Sequence, residues 1–458
     1  MSNFEFTFGS PSQSDAAQST TNRLRILVLA DYRGDNDTRP PLDQRQPRRV
    51  NIDNFADRMK RWSPRMSITI EDDSFVMGCT KLEDFEPDAL FTTLPPFDAL
   101  RQSRADIADG KLPDSATSTQ EPALTDSTDN TKEDVGDTLS RLLGDDTSTG
   151  PKKKSGGLLD SFIANVVADE ITPSGSDKAG HLAACDAAIA EIMRRVLHHP
   201  KVQRSEASWR GLYALINALE DEELVSVYAM DVNATELQAD LLDGDRQNST
   251  LVTRLVEEGK GTFGGEAWDI IVADLMTSPD QAELVAALGA VAKAAGGRLL
   301  TDADVTTLDD ETPASWQALR SSTAARTVCL TTPRVLLRAP WGRQSEEPDT
   351  FGFEECVAEP ATEELLWGSG ALLVATCLAQ QFESGNRSGN LSDQPAAQDR
   401  PMFVFEKDGS RHLQPVAEKL LSDNQAEALR AKWGVMPLRP ERNGNRLLFP
   451  ALQHLAAH

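Results

Sequence analysis

Adjacent histidines are the first residues of this chain whose types suggest chemistry. His198 and His199 form the one histidine pair, but neighbouring side chains on a helix point about 100° apart and do not readily hold one metal ion together. Pro200 follows them, and a histidine at a helix end complements the helix dipole. We interpret the pair as a helix boundary and expect no metal and no other cofactor.

The glycine-rich segment GKGTFGGE, residues 259–266, resembles a phosphate-binding loop only in composition. A Walker loop places lysine after its second conserved glycine, follows it with serine or threonine, and then starts a helix. Here Lys260 comes too early, Glu266 would repel a phosphate, and a strand-like run follows. The segment is predicted to be a turn before a strand.

The serine in WGSGA, residues 367–371, lacks the Gly-x-Ser-x-Gly spacing of a nucleophile elbow. We expect its glycines to be close-packing positions within an apolar helix. Because the sequence offers no nucleophile and base as a pair, we predict that the protein is not an enzyme. The alternative is an α/β hydrolase-like enzyme with an unrecognised active site.

An aromatic residue, a positive charge and a glycine stand together in EASWRGLYALI, residues 206–216. The tryptophan shares one helix face with the leucine, tyrosine and isoleucine at i+3, i+4 and i+7. Trp209, Arg210 and Gly211 are therefore candidates either for a ligand-binding device or for packing between large parts of an assembly.

Composition limits the class of protein. The chain has 458 residues and a formal net charge of −26, which argues against direct binding of nucleic acid or an anionic membrane. It has no apolar run near the roughly 20 residues that a membrane span requires, and its first residues lack the features of a signal peptide. Five dispersed cysteines fit reduced thiols. We expect a soluble, cytoplasmic protein.

Changes in composition divide the chain. The buried-strand run LRILVLADYRG opens a small α/β unit, and a Ser-, Thr- and Asp-rich segment that cannot bury enough apolar surface follows as a disordered linker. Strands then alternate with helices, which indicates a layered α/β core with a largely parallel or mixed sheet. The predicted divisions are a flexible N-terminus (1–22), a small unit (23–110), a linker (111–156), a large core (157–383), a polar loop (384–400) and a C-terminal part (401–458).

Eight motifs follow one another in the second half of the chain: LLDSF, LHHPKVQRSEASWRGL, GTFGGEAWDIIVADL, VAALGAVAKAA, TPRVLLRAPWGR, FGFEE, LWGSGALLVA and WGVMPL. In this order they resemble the motifs of the large subunit of the type VI secretion contractile sheath, known as TssC, VipB or ImpC. The resemblance implies structural roles for the motif residues Trp209, Arg210, Gly211, Phe263, Gly264, Gly265, Arg334, Arg338, Pro340, Gly342, Phe353, Glu354, Glu355, Trp367 and Gly368.

The first half independently resembles the small sheath subunit, known as TssB, VipA or ImpB. LRILVLADYRG matches its opening strand, and PLDQRQPRRVNIDNFADRMKRWSPRMSITI and LEDFEPDALFTTLPPFDALRQSR follow in family order. The chain is thus similar to a small subunit at 23–110 fused to a shortened large subunit at 155–458, with the ImpD group as the nearest variant. This implies a contractile-sheath-like α/β fold whose two halves pack together, with Trp209 buried and Arg210 paired to a carboxylate.

The resemblance also implies partners. Sheath subunits of the TssB and TssC types assemble with six-fold symmetry around a tube of Hcp rings, stand on a baseplate and are disassembled by the AAA+ unfoldase ClpV. Because the family's large subunit continues beyond the position where this chain stops at His458, we expect either a sheath building block or an end-cap or baseplate adaptor subunit.

A short apolar stripe precedes the large core. Leu158, Leu159, Phe162 and Ile163 recur at i, i+1, i+4 and i+5 within LLDSFIANVV. In the family a similar helix is engaged by the unfoldase, so the stripe is predicted either to bind that partner or to pack on its own domain.

Overall fold

The computed structural model describes both predicted halves. The described residues are 23–110, 178–243, 249–260, 265–304, 306, 311–387, 391, 396–442 and 444–456. The predicted N-terminal segment, the predicted linker and the predicted helix with Leu158, Leu159, Phe162 and Ile163 lie outside them, as do Phe263 and Gly264.

Helices and strands alternate along the described ranges. The helices are α1 (Ile52–Trp62), α2 (Pro87–Thr93), α3 (Asp98–Ala108), α4 (Lys178–Leu197), α5 (Pro200–Asn217), α6 (Ala234–Gln238), α7 (Thr250–Val252), α8 (Ala282–Ala294), α9 (Ala314–Ser321), α10 (Gly370–Glu383) and α11 (Asp423–Ala428). Three of them continue as π-helical turns, α6 through Ala239–Asp243, α7 through Thr253–Lys260 and α11 through Leu429–Trp433.

The strands are mostly short. They are β1 (Leu24–Ala30), β2 (Arg48–Val50), β3 (Arg65–Ile70), β4 (Asp73–Gly78), β5 (Val225–Asp231), β6 (Ile270–Thr277), β7 (Arg298–Ala303), β8 (Val328–Thr332), β9 (Val335–Leu336), β10 (Trp367–Gly368), β11 (Ala396–Ala397), β12 (Val404–Lys407), β13 (Ser410–Leu413), β14 (Val435–Pro437), β15 (Arg439–Pro440) and β16 (Leu447–Leu448).

Within the described ranges, seven strands form the central sheet, in the order β14-β8-β7-β6-β1-β5-β2. Every neighbouring pair is parallel except β2 and β5, which are antiparallel, so the predicted mixed α/β sheet is confirmed. Strand β1 comes from the N-terminal half, yet it lies between β5 and β6 of the C-terminal half, with Ile26 opposite Val227 on one side and Ile270 on the other. The prediction that the two halves fold against each other is confirmed.

The sequence of β1 explains its central position. Ile26 and Val28 belong to the apolar cluster on one face of the sheet, and Leu27 and Leu29 belong to the cluster on the other. Helices cover both faces, so a continuous apolar run rather than an alternating one suits this strand. The first cluster includes side chains of α1, α4, α5 and α10; the second includes side chains of α7, α8 and α9.

Helix α1 of the N-terminal half has the cap and the buried face that its sequence predicts. The Asn51 side chain accepts a hydrogen bond from the Asn54 amide, and the Asn54 side chain accepts one from the Asn51 amide, so α1 begins with a capping box. Phe55, Met59 and Trp62 recur at helical spacing and are all buried. These features confirm the helix that the spacing predicts.

The structure confirms the prediction made for the histidine pair and corrects the one made for the WGSGA segment. Helix α4 ends before His198, and His199 caps α5 by accepting a hydrogen bond from the Lys201 amide at 3.3 Å, so the predicted helix boundary is confirmed. The placement of Gly368 in a helix is wrong, whereas Gly370 is the first residue of α10. Gly368 pairs with Val335 in strand β10, and the helix begins after Ser369, which caps it by accepting a hydrogen bond from the Leu372 amide at 3.0 Å.

Cleavage between the halves tests the shared sheet. A protease site inserted after Gly136 should be cut without separating the two fragments, because β1 is hydrogen bonded along both edges within the sheet. Gel filtration after cleavage should show both fragments in one peak.

The matched control is the same protein with Val28→Asp. Val28 is fully buried, and a carboxylate there would be desolvated within the sheet, so the cleaved variant should separate or precipitate. Two separate folded fragments from the cleaved wild-type chain would contradict the shared sheet.

Candidate functional site

An arginine with an 11% exposed side chain binds two buried carboxylates from distant parts of the chain. Arg338 follows β9, and its Nε donates to Glu206 Oε1 of α5 at 2.9 Å. Its Nη1 and Nη2 donate to the two oxygens of Glu355 at 2.7 and 3.1 Å. Glu206 and Glu355 are 0% and 2% exposed, so water contributes little to their solvation and the guanidinium replaces it.

The protonation states follow from this arrangement. Burial by itself would lower the pKa of Arg338, but Glu206 and Glu355 raise it well above its usual value. Burial would also raise the pKa of Glu355, but Arg338 and the Trp341 amide, which donates at 2.8 Å, lower it to about 2. Both groups are therefore charged at neutral pH, and each neutralises the other in a buried setting.

Aromatic and glycine residues of the same motif complete this cluster. The Arg338 guanidinium lies 5.2 Å from the centre of the Trp341 ring. Pro340 is buried, and Gly342 adopts a φ of 149°, where a side chain would crowd Glu354. Phe353 is buried two residues before Glu355. The arginine and glutamate motifs thus form one structural unit.

The motif residues Trp209, Arg210 and Gly211 of α5 all take part in packing or ion pairing within the fold. Trp209 is fully buried, its Nε1 donates to the Tyr32 carbonyl at 3.2 Å, and its ring centre lies 4.9 Å from that of Tyr32. Arg210 Nε donates to Glu206 Oε1 at 2.7 Å, so Glu206 serves two guanidinium groups. A side chain on Gly211 would lie 2.8 Å from Leu372 of α10. The expected burial, carboxylate pairing and close approach are confirmed.

The aromatic contacts of Trp209 reach across the two halves of the chain. Its ring centre lies 5.6 Å from that of Phe55 and 5.8 Å from that of Trp62, both on α1. Tyr32 and Trp62 also stack at 5.0 Å. The tryptophan of the C-terminal motif is therefore the centre of an aromatic cluster supplied mainly by the N-terminal half.

A second buried ion cluster joins the halves, and the sequence analysis missed it. Asp231, at the end of β5, is 3% exposed and accepts from Arg39 Nη2 at 2.9 Å and from the Tyr32 amide at 3.0 Å. Arg45 donates to the Asp231 carbonyl at 2.9 Å and to Glu236 at 2.8 and 2.5 Å. The only signal in the sequence is a loop rich in arginine and aspartate after β1, and such residues are usually exposed.

Other motif residues lie apart from Arg338. Arg334 donates to Glu418 at 2.9 and 2.6 Å, and Trp367 donates from its ring nitrogen to the Thr362 carbonyl at 2.7 Å. Gly368 packs beside Leu337, where a Cβ would lie 2.6 Å from the leucine side chain. Gly265 is exposed. The structure therefore distributes the family motifs over several packing contacts.

The described residues give little support to catalysis. They contain no group of three or more His, Cys, Asp or Glu side chains placed to hold a metal ion. Burial raises the pKa of Cys185 to about 11 and that of Cys329 to about 12, which disfavours reactive thiolates. Ser369 is engaged as a helix cap. No helix among the described residues has both the length and the apolar character needed to cross a membrane.

Comparison with known proteins agrees with this architecture. A family model for VipB, described as EvpB/VC_A0108, tail sheath N-terminal domain, matches residues 180–311 and 300–456. A second model, described as Type VI secretion system, VipA, VC_A0107 or Hcp2, matches residues 10–133. The fold, the buried ion pairs and these matches define a contractile tail-sheath protein.

The chain belongs to the VipB sheath family of type VI secretion systems and carries a VipA-like segment ahead of its VipB-like part. It is also similar to the type VI secretion system sheath protein TssC1 of Pseudomonas aeruginosa, with 28% identity over 301 residues. That similarity covers 60% of this chain and 60% of the relative. The chain thus spans about 60% of the length of this relative.

Removing the central guanidinium should destabilise the fold. Arg338→Met leaves Glu206 and Glu355 buried without their shared partner, and we expect a loss of about 3–5 kcal/mol in the free energy of unfolding. The control is Arg343→Met, because Arg343 is 76% exposed and should contribute less than about 1 kcal/mol. Urea unfolding followed by tryptophan fluorescence measures both, and equal losses would contradict the role of the buried cluster.

The depressed pKa of Glu355 predicts a pH dependence. Its folded pKa, about 2, lies below the usual 4.5, so its stabilising contribution is complete above pH 4.5 and is lost as pH falls toward 2. The stability difference between wild type and Glu355→Gln should therefore shrink in that window.

Glu354→Gln is the matched control, since the Glu354 side chain is 43% exposed. Its stability difference from the wild type should change much less with pH. Urea titrations at a series of pH values between 3 and 7 give the comparison, and a Glu355→Gln difference that stays constant across this range would contradict the assignment.

Proposed function

We propose that this protein is a non-enzymatic structural component of the type VI secretion sheath in which one polypeptide supplies both the VipA-like and the VipB-like part. The observation that carries the proposal is the position of β1, a strand of the VipA-like half, between β5 and β6 of the VipB-like half. Such a protein delivers the two parts in a fixed one-to-one ratio and already assembled.

The contacts between the halves suit a component that transmits force. Strand β1 is hydrogen bonded on both edges, Arg39 and Arg45 of the first half bind Asp231 and Glu236 of the second, and Trp209 packs on Tyr32. A contractile lattice stores energy in contacts between subunits, so each subunit must hold together while those contacts change. These buried contacts favour such rigidity.

The proposed partners follow from membership of the sheath family. They are sheath subunits of the TssB and TssC types in a cytoplasmic, six-fold symmetric assembly, the Hcp tube that the sheath surrounds, and the baseplate on which it stands. We extend the proposal to a ClpV-type unfoldase, which would bind the apolar stripe of Leu158, Leu159, Phe162 and Ile163.

The edges of the central sheet suggest where lattice contacts do not form. Among the described residues, β2 and β14 are the edge strands; each is three residues long, and β14 ends in Pro437, which lacks an amide donor. Short edges with proline resist the addition of further strands. We therefore propose that neighbouring subunits contact surfaces other than the edges of this sheet.

Electron microscopy tests the function. The purified chain is imaged by negative stain alone and together with the cognate sheath pair, using a gold-labelled tag on the chain. We expect label on sheath tubes when all components are present. Label along the tube indicates a building block, and label at one end indicates an end-cap or baseplate adaptor.

Val28→Asp, which disrupts the central strand, is the negative control for incorporation. Absence of wild-type label from tubes that assemble normally would overturn the proposed function. Labelling of intact cells by an activity-based hydrolase probe that reacts with this chain would instead favour the enzyme alternative.

A further inference from the structure

A buried carboxylate lies under the first turn of α10. Asp302, near the end of β7, is 2% exposed. It accepts hydrogen bonds from the Thr331 hydroxyl of β8 and from the Ala371 amide of α10, the latter at 2.9 Å. Within the described ranges Asp302 forms no ion pair, whereas the buried carboxylates of the two ion clusters above bind arginines. Neutral donors therefore hold this carboxylate.

The helix and the sheet meet closely at Asp302. A Cβ on Gly370, the first residue of α10, would lie 3.2 Å from Asp302 Oδ1 and 2.9 Å from Thr331 Oγ1. It would also lie 2.6 Å from the side chain of Leu438. Only glycine allows this approach, so the charge of Asp302 stands in a tight contact between α10 and the sheet.

A second carboxylate lies under the same face of the sheet. Asp274 belongs to β6, the neighbour of β7, and Ser208 Oγ of α5 donates to its Oδ2 at 2.6 Å. The register between β6 and β7 shifts between Val272 and Met276, so Asp274 stands in an irregularity of the sheet. Helices α5 and α10 cover one face, so Asp274 and Asp302 both lie beneath it and repel each other when both are charged.

Groups of the neighbouring elements do not neutralise Asp302. The titratable and charged side chains around the two carboxylates are Asp31 and Tyr32 after β1, Arg204 of α5, Asp304 after β7, Arg334 after β8 and Glu418. The guanidinium of Arg334 binds both oxygens of Glu418, at 2.9 and 2.6 Å, and Arg204 acts on Asp274. Among the described residues, neither arginine forms an ion pair with Asp302.

The protonation of Asp302 follows from this setting. Burial raises its pKa from the usual 3.8 to about 6; the charge of Asp274 adds to this rise, and the hydroxyls of Ser369 and Thr331 oppose it. The folded chain therefore binds this proton more tightly than the unfolded chain does. The stability gained from the bound proton is complete below pH 3.8 and is lost as pH rises through 6.

We propose that Asp302 is a pH-sensitive element of the fold, which takes up a proton in mild acid and thereby tightens the contact of α10 with β7 and β8. In its ionised form it places a second negative charge beside Asp274 beneath α10, and the contact is weaker. The proposal concerns the isolated chain and stands independently of the sheath function.

Urea unfolding of the full chain between pH 5 and 7.5 tests this role. Asp302→Asn is neutral at every pH and has nearly the same shape. The folding equilibrium constant of the wild type, divided by that of this variant, should fall about tenfold across this range, as pKa values of about 6 and 3.8 require. Groups common to both proteins cancel in the ratio. Asp408→Asn, in the exposed turn of the β12–β13 hairpin, is the matched control, and its ratio should stay constant.

Two further variants move the midpoint of the pH dependence. Asp274→Asn removes the neighbouring charge, so the midpoint should fall, and Thr331→Val removes a hydroxyl that favours the ionised form, so the midpoint should rise. Each is measured with and without Asp302→Asn, which isolates the titration of Asp302. A residue that only packs would leave both midpoints unchanged.

A ratio of wild type to Asp302→Asn that stays constant between pH 5 and 7.5 would overturn the proposal, and so would an equal change in Asp408→Asn. If Asp302→Asn does not fold, the midpoints of Asp274→Asn and Thr331→Val are compared with that of the wild type. Shifts in opposite directions then support the proposal, and the absence of both shifts overturns it.

Discussion

Strand β1 is the element on which the rest of the structure depends. It pairs with β5 and β6 at once, so without it each of those strands would present an unpaired edge inside the molecule. Unpaired backbone groups in such a buried place are costly, and open edges invite pairing with other chains. Burial of its apolar side chains adds about 1.5–3 kcal/mol for each large residue. The C-terminal half therefore completes its sheet only with a strand from the N-terminal half.

The ion clusters hold the same elements together through their side chains. Arg338, which follows β9, binds Glu206 of α5 and Glu355. Asp231, at the end of β5, binds Arg39 of the loop after β1. Removing charges from water is expensive, so such clusters are weak sources of net stability. They do select one arrangement strongly, because any other arrangement leaves a buried charge without its partner. We regard these clusters as devices that specify how the segments of this sheath protein meet.

Arginines are grouped locally despite the strongly acidic composition. The chain carries a net charge of −26, yet Arg33, Arg39 and Arg45 gather around Asp231, where Asp31 and Glu236 also bind them. In an acidic protein such a grouping is a local site with its own electrostatic potential, which net charge does not describe. It lies at the carboxyl end of β1, where the loop of the first half meets the end of β5.

The local elements could be derived from sequence because their causes are local. The spacing of Phe55, Met59 and Trp62, the cap at Asn51 and the unbroken apolar run of β1 each indicate their element within a few residues of chain. Gly368 was assigned to the wrong element, since a two-residue strand depends on its partner β9 and carries almost no periodicity of its own.

The contacts between charged side chains that are far apart in the chain had no such signal in the sequence. Arg338, Glu206 and Glu355 were visible as motif residues through resemblance, but their mutual contact required three segments to meet in the fold. Arg39 stands in a polar loop and Asp231 ends an apolar strand, and neither position indicates in the sequence that the two side chains meet. Periodicity and capping report forces between near neighbours in the chain, whereas desolvation, ion pairing and cavities depend on which distant groups share the same low-dielectric space.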